Sequence, residues 1–243
     1  MSSDKATPRV VLELSNLHAG YGVSRILFGV SLHADRGEVV ALLGRNGAGK
    51  STALKAIMGI VPLSAGHVLL DGAELGGLPP YLIARAGIGY VPQDRRIFPD
   101  LTVRENLEVG RRRGGSLDSP WTLERVEGLF PALRSLAGRR GGGLSGGEQQ
   151  MLTLARTLMG NPRVLLLDEP SEGLAPVVVR TMIEQLLYLK AGGMTVILSE
   201  QNIHFTREVS DRAYILEKGS IQLEGKIKEV FDDKSILDRY LAI

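Results

Sequence analysis

Three short runs in this chain carry groups suited to handling a triphosphate: GRNGAGKST at 44–52, LSGGEQQ at 144–150 and VLLLDEP at 164–170. The first has the spacing of a phosphate-binding loop, with glycines ahead of a lysine and a hydroxyl. Gly44, Gly47 and Gly49 permit positive φ and let the backbone approach a phosphate that a side chain would block. With Arg45, Asn46 and Ala48 they form a loop whose successive N–H groups face an anion, at the positive end of a helix beginning near Lys50. Lys50 is expected to reach the β and γ phosphates, Ser51 to coordinate Mg2+ through its hydroxyl, and Thr52 to add a phosphate contact. In VLLLDEP, Asp168 is expected to hold the cation, in part through water, because Mg2+ dehydrates reluctantly. Glu169 is then the candidate general base that polarises a water toward the γ phosphate. In LSGGEQQ, Ser145 offers a hydroxyl, and Gly146 and Gly147 offer bare N–H groups at the start of a helix expected to run to about Met159.

Such groups work only if buried strands hold them. The run 38–43 is short, apolar and partly β-branched, as the strand before a phosphate loop must be. A second apolar run, 164–167, puts Asp168 and Glu169 at its C-terminal edge, beside that loop in a parallel sheet. Further strands are expected at 10–14, 26–30, 67–70, 88–91, 195–198 and 213–216, several separated by helical patterns. The residues after Ser220 read as one more hairpin or strand and short helices. From about 94 to 143 the pattern changes to helix-like segments at 102–109 and 122–129 with a polar linker, an insertion into an α/β core. The arginines Arg111, Arg112 and Arg113, followed by Gly114 and Gly115, read as a solvated loop, and Trp121 as a packing residue at a helix start.

Composition sets outer bounds. The 243 residues suffice for one full core, read as a single domain over 1–243, and 29 Lys plus Arg against 27 Asp plus Glu give a net charge of only +2. No strong field draws the chain onto nucleic acid, and none is expected as a partner. Without cysteine there are no disulfides, thiolate nucleophiles or thiolate metal sites, and His18, His33, His67 and His204 lack metal-ligand spacing. No apolar run approaches the roughly 20 residues of a membrane span, and the opening MSSDKATPRV has no apolar core. The chain is therefore expected to be soluble and not secreted, with any pore supplied by other subunits.

Taken together, the motifs resemble those of the nucleotide-binding subunits of ATP-binding cassette (ABC) transporters, over nearly the whole chain. The resemblance implies an α/β P-loop ATPase core with an N-terminal antiparallel β-subdomain and an inserted α-helical subdomain. It makes Leu144, Ser145, Gly146, Gly147 and Glu148 the family signature, which closes in trans on the γ phosphate of ATP held by a partner cassette. Tyr21 matches the aromatic that stacks on adenine, and Gln93 in YVPQ the glutamine that touches Mg2+ and the attacking water. Two positions depart from the common pattern. Gln201, in TVILSEQN, stands where most members have a switch histidine; its carboxamide can bond a phosphate oxygen but cannot titrate near neutrality. Ala175, in SEGLAP, stands where many have an aspartate. With GGEQQML at 146–152 and IFPDLTVREN at 97–106, these departures resemble the LivF-type ATPases of branched-chain amino-acid importers, with the urea and short-amide importers as the alternative. The resemblance further implies a second ATPase subunit, permease subunits, an external solute-binding protein and a place at the cytoplasmic face of the membrane. A nucleotide-gated ABC subunit outside transport is the reading from another class. The types that act on DNA or the ribosome usually carry two cassettes or a long coiled-coil insertion, and neither is present in the sequence.

Overall fold

Two sheets organise the chain, and each follows from a different hydrophobic pattern. A computed structural model describes residues 10–112 and 120–241. The readings of the first nine residues, of Arg113, Gly114 and Gly115, and of the last two residues lie outside them. Strands β1 (Val10–Tyr21), β2 (Ser24–Asp35), β4 (Leu63–Leu70) and β5 (Ala73–Glu74) form an antiparallel sheet in the order β2-β1-β4-β5. Between them in sequence, β3 (Val39–Leu43) belongs to a six-stranded sheet with β6 (Ile88–Val91), β7 (Val164–Asp168), β8 (Thr195–Ser199), β9 (Arg212–Glu217) and β10 (Ser220–Lys226). Its order is β10-β9-β3-β8-β7-β6, parallel throughout except for the β9-β10 hairpin. Every residue of β3, β7 and β8 is buried, which is why these strands read as continuous apolar runs without alternation.

The antiparallel strands run longer than the sequence pattern indicates: β1 and β2 have 12 residues each, against five expected for either. The β1 pairing shifts register around Leu17, and Asn16 has φ 51°, so the period of two is broken within one strand. The two sheets meet where Phe28 N–H donates to the Gly219 carbonyl (2.8 Å) and Ser220 Oγ donates to Phe28 O (3.1 Å). Arg212 reinforces the joint. Its guanidinium donates to both carboxylate oxygens of Glu38 (2.8 Å each) and to His33 O (2.9 Å), fixing the start of β3 against the end of β2.

Helices α1 (Lys50–Ile57) and α2 (Pro80–Ala86) follow β3 and β5. Between β6 and β7 lie α3 (Val103–Gly110), α4 (Leu123–Leu129), α5 (Pro131–Ser135) and α6 (Gly146–Leu158). Thr102 and Thr122 cap α3 and α4 by accepting from backbone N–H groups three residues on, which places the helix starts one residue inside the expected segments. Val103, Leu107, Val126, Phe130 and Leu133 bury their side chains with Leu152 and Ala155 of α6 in one apolar cluster. Trp121 joins this cluster, 6% exposed, and its backbone N–H donates to Asn161 Oδ1. Beyond β7 come α7 (Pro176–Ala191), α8 (Ile203–Val209) and α9 (Ile227–Asp232).

Candidate nucleotide site

The parallel strands end on one side of the sheet, and the loops that leave them there make a cleft of about 460 Å³. β3 passes into the loop before α1 at Gly44, whose φ is 148°. A Cβ there would lie 2.2 Å from the Leu216 carbonyl oxygen on β9, so nothing larger than hydrogen fits. Gly47 (φ 78°) differs: a Cβ would meet nothing within 4 Å, so this glycine keeps the loop open as well as turned. Lys50 is 4% exposed, and its ammonium donates to Gly44 O (2.9 Å) and Arg45 O (3.4 Å) and lies 3.5 Å from Glu169 Oε1. A buried cation needs such acceptors, and these place it across the mouth of the loop.

Glu169 follows β7 with φ 47°, a left-handed conformation that costs a non-glycine residue roughly 1–3 kcal/mol. Its N–H donates to Ser199 O (2.9 Å), and the turn aims its carboxylate at the phosphate loop. Gln201 Nε2 bridges the two, donating to Glu169 Oε1 (2.8 Å) and Asn46 Oδ1 (2.7 Å). Asp168, 1% exposed, is held by three hydroxyls: Ser51 Oγ (2.7 Å) and Ser199 Oγ (2.8 Å) at Oδ1, and Tyr90 OH (3.0 Å) at Oδ2. Burial, helped by the Asp168 charge, pushes the Tyr90 phenol upward, so it remains a donor. Ser51 and Asp168 thus present hard oxygens in contact, and Gln93 lines the same cleft. That donor set suits a cation that takes oxygen ligands and keeps several waters. Gln93 Nε2 also donates to Glu172 Oε2, linking the loop after β6 to the loop after Glu169.

Of the residues singled out from sequence, Asn46, Gly47, Gly49, Lys50, Ser51, Thr52, Gln93, Glu169 and Gln201 line the cleft. Arg45 is exposed and Ala48 buried, and both shape the loop from outside the cleft wall. Tyr21 stands at the end of β1, half exposed, and does not line it; Ile26 of β2 does. Leu144, Ser145, Gly146, Gly147 and Glu148 also lie apart from the cleft of their own chain. They open α6 through a reciprocal cap: Ser145 N–H donates to Glu148 Oε2 (2.6 Å), and Glu148 N–H to Ser145 Oγ (3.4 Å). Ala175 precedes α7 without a side-chain cap, ahead of Pro176 in its first turn.

Sequence reading missed Tyr90, Ser199, Glu172 and Glu200 as members of this network. Tyr90 opens the YVPQ run, but Ser199 reaches Asp168 only because β7 and β8 pair in that register. Glu200 is 3% exposed, and burial pushes its carboxyl up to about 7. It accepts from Ser171 Oγ and so ties the loop that carries Gln201 to the loop that follows Glu169.

Known proteins are similar to this chain in sequence and in fold. The family profile described as ABC transporter matches residues 27–172. The high-affinity branched-chain amino acid transport ATP-binding protein BraG of Pseudomonas aeruginosa is 40% identical over 96% of this chain and the whole of that protein. The lipopolysaccharide export system ATP-binding protein LptB of Escherichia coli is 35% identical over 95% of this chain and 97% of its own. A dimeric ATP-binding cassette solved in a post-hydrolysis state with ADP and phosphate superposes with a TM-score of 0.76 at 29% identity, over 89% of this chain and 98% of that one. The profile covers more than half of the chain and these relatives match it nearly end to end, so the chain belongs to the ABC transporter family as one of its ATP-hydrolysing, ATP-binding cassettes.

Proposed function

We propose that this cassette powers an importer of branched-chain, hydrophobic amino acids. The observation that carries this reading is the 40% identity to BraG over that protein's full length, together with Gln201 at the position that joins the base to the phosphate loop. In this reading the chain lies at the cytoplasmic face of the membrane. It pairs with a second ATPase subunit in the assembled transporter and engages permease subunits served by an external solute-binding protein. An isolated chain self-associates when ATP is bound.

ATP takes the loop 44–52 through its phosphates, with Tyr21 as the platform for adenine. Lys50, already at the mouth of the loop, exchanges carbonyl contacts for β and γ phosphate oxygens. Mg2+, held by Ser51, Asp168 and Gln93, neutralises charge on those phosphates when bound. Glu169 takes the proton of the attacking water. Gln201 and Lys50 both occupy its Oε1, so Oε2 is the oxygen that receives it. The Leu144–Glu148 signature of the partner then closes over the γ phosphate. ADP lacks that group, so ATP alone binds the closed pair better than the open one, and hydrolysis reopens it.

Gln201→Ala removes the bridge between Glu169 and Asn46 while leaving the Lys50 contacts in place. Steady-state ATPase is expected to fall about 10-fold with ATP affinity little changed, as loss of one hydrogen bond to a charged group implies. Unaltered turnover would remove Gln201 from this role. The cargo is tested by uptake of labelled leucine and labelled urea in cells lacking this chain, complemented with the wild type or Glu169→Gln. Leucine uptake restored by the wild type alone supports the reading. Urea uptake restored in that way would replace it with the short-amide alternative.

A further inference from the structure

Arg95 lies two residues beyond Gln93, and its guanidinium reaches a junction of three loops. A Cβ on Gly146 would sit 2.7 Å from Arg95 Nη1, and one on Gly173 would sit 3.8 Å from Nη2. The loop after β6, the start of the signature helix and the loop after Glu169 therefore converge on this one side chain. Among the described residues its only side-chain hydrogen bond runs from Nη2 to Glu172 O at 3.4 Å. No carboxylate pairs with it among those residues. The nearby acids are engaged elsewhere: Glu172 accepts from Gln93, Glu148 from Ser145 N–H, and Asp94 pairs with Arg96. A planar fork of five donors thus holds one long bond to a carbonyl, with the geometry suited to a phosphate.

The backbone that delivers this group is fixed to α6. Arg95 and Arg96 both have positive φ, 62° and 44°. Thr153 Oγ1 donates to Arg95 O and Arg156 Nη2 to Arg96 O, each at 2.6 Å. The backbone that carries the Arg95 side chain is thus tied directly to the signature helix.

We propose that Arg95 is a further ligand of the triphosphate, acting in trans beside Ser145 and Gly147. When the signature of one chain closes on ATP held by its partner, Arg95 donates to the γ phosphate oxygens and gains the anion it lacks in the single chain. The assignment rests on the sandwich described under the proposed function. It adds a full positive charge to a contact otherwise made by a hydroxyl and backbone N–H groups, and ADP has no γ phosphate to receive it.

The test uses the full-length Glu169→Gln chain as parent, alone and with Arg95→Ala or Arg95→Lys, in ATP and Mg2+. Sedimentation gives the dimer dissociation constant, and titration at chain concentrations below dimer formation gives ATP affinity. The Arg95→Ala dimer is expected to weaken roughly 10- to 100-fold per site, with Arg95→Lys between it and the parent. Single-chain ATP affinity and Tm are expected to stay at parent values. The 31P resonance of the γ phosphate should shift between the parent and Arg95→Lys dimers while the α resonance stays in place. A parent that fails to dimerise overturns the sandwich and this assignment with it. A parent that dimerises, with Arg95→Ala equally tight, overturns the assignment alone. So does an unmoved γ resonance, which would make Arg95 a contact between protein surfaces, or a lowered Tm, which would make it a structural cross-link.

Discussion

Glu169→Gln is expected to lower ATP turnover by at least about 100-fold while ATP affinity stays within about threefold of wild type. The amide keeps the size of the carboxylate and an oxygen for Gln201 Nε2 to reach, so the bridge to Asn46 survives. What it loses is the ability to accept a proton from water. Lys50 loses an ion pair at 3.5 Å but keeps the Gly44 and Arg45 carbonyls, and a bound phosphate supplies the missing anion. Removing a carboxylate from beside the γ phosphate also removes a like charge, so binding does not suffer. Phosphate release and calorimetric ATP titration on the same preparation check both halves. Turnover within threefold of wild type would take the base role away from Glu169.

Gly44→Ala is expected to destabilise the fold by about 3–5 kcal/mol and to abolish nucleotide binding, the sum of left-handed strain and overpacking against fixed backbone. The obstacle is the Leu216 carbonyl, 2.2 Å from where the new methyl would stand. Leu216 cannot yield cheaply, because β9 is paired with β3 on one side and β10 on the other. Gly47→Ala provides the contrast within the same loop: its φ is 78°, but a Cβ there meets nothing within 4 Å. Only the conformational cost of about 1 kcal/mol applies to it. Denaturant midpoints of the two variants should therefore differ widely. Equal midpoints would show that strain, and not the Leu216 contact, governs the position.

The parts of this architecture that were legible in the amino-acid order are those fixed by neighbours in sequence. The strand expected at 164–167 is β7, at Val164–Asp168, because four consecutive apolar residues, all buried, carry it up to the acid that ends it. The helix-like segments at 102–109 and 122–129 are α3 and α4, each begun one residue later by a threonine cap. The family was legible for the same reason: its motifs are local strings, and the profile match and the BraG identity agree with them. The hidden features depend on pairing across the chain. Ser199 bonds Asp168 through the register of β7 on β8, and Glu169 adopts positive φ to satisfy Ser199 O. Nothing near Arg95 in sequence brings it beside Gly146, which is 51 positions away and adjacent only once α6 packs on the loop after β6. The full length of β1 was obscured by its own irregularity at Asn16.

The strand that feeds the phosphate loop is an early piece of the chain held by late ones. β3 is flanked by β8 and β9, so Val39 pairs with Val196 and Leu43 with Ile215. As the protein is synthesised, both edges of β3 wait for partners until most of the polypeptide has emerged, a slow and exposed interval for a buried strand. ATP binds only the assembled loop, so it stabilises nothing shorter than the nearly complete chain. A ribosome that stops before β9 leaves a product that no concentration of nucleotide can rescue.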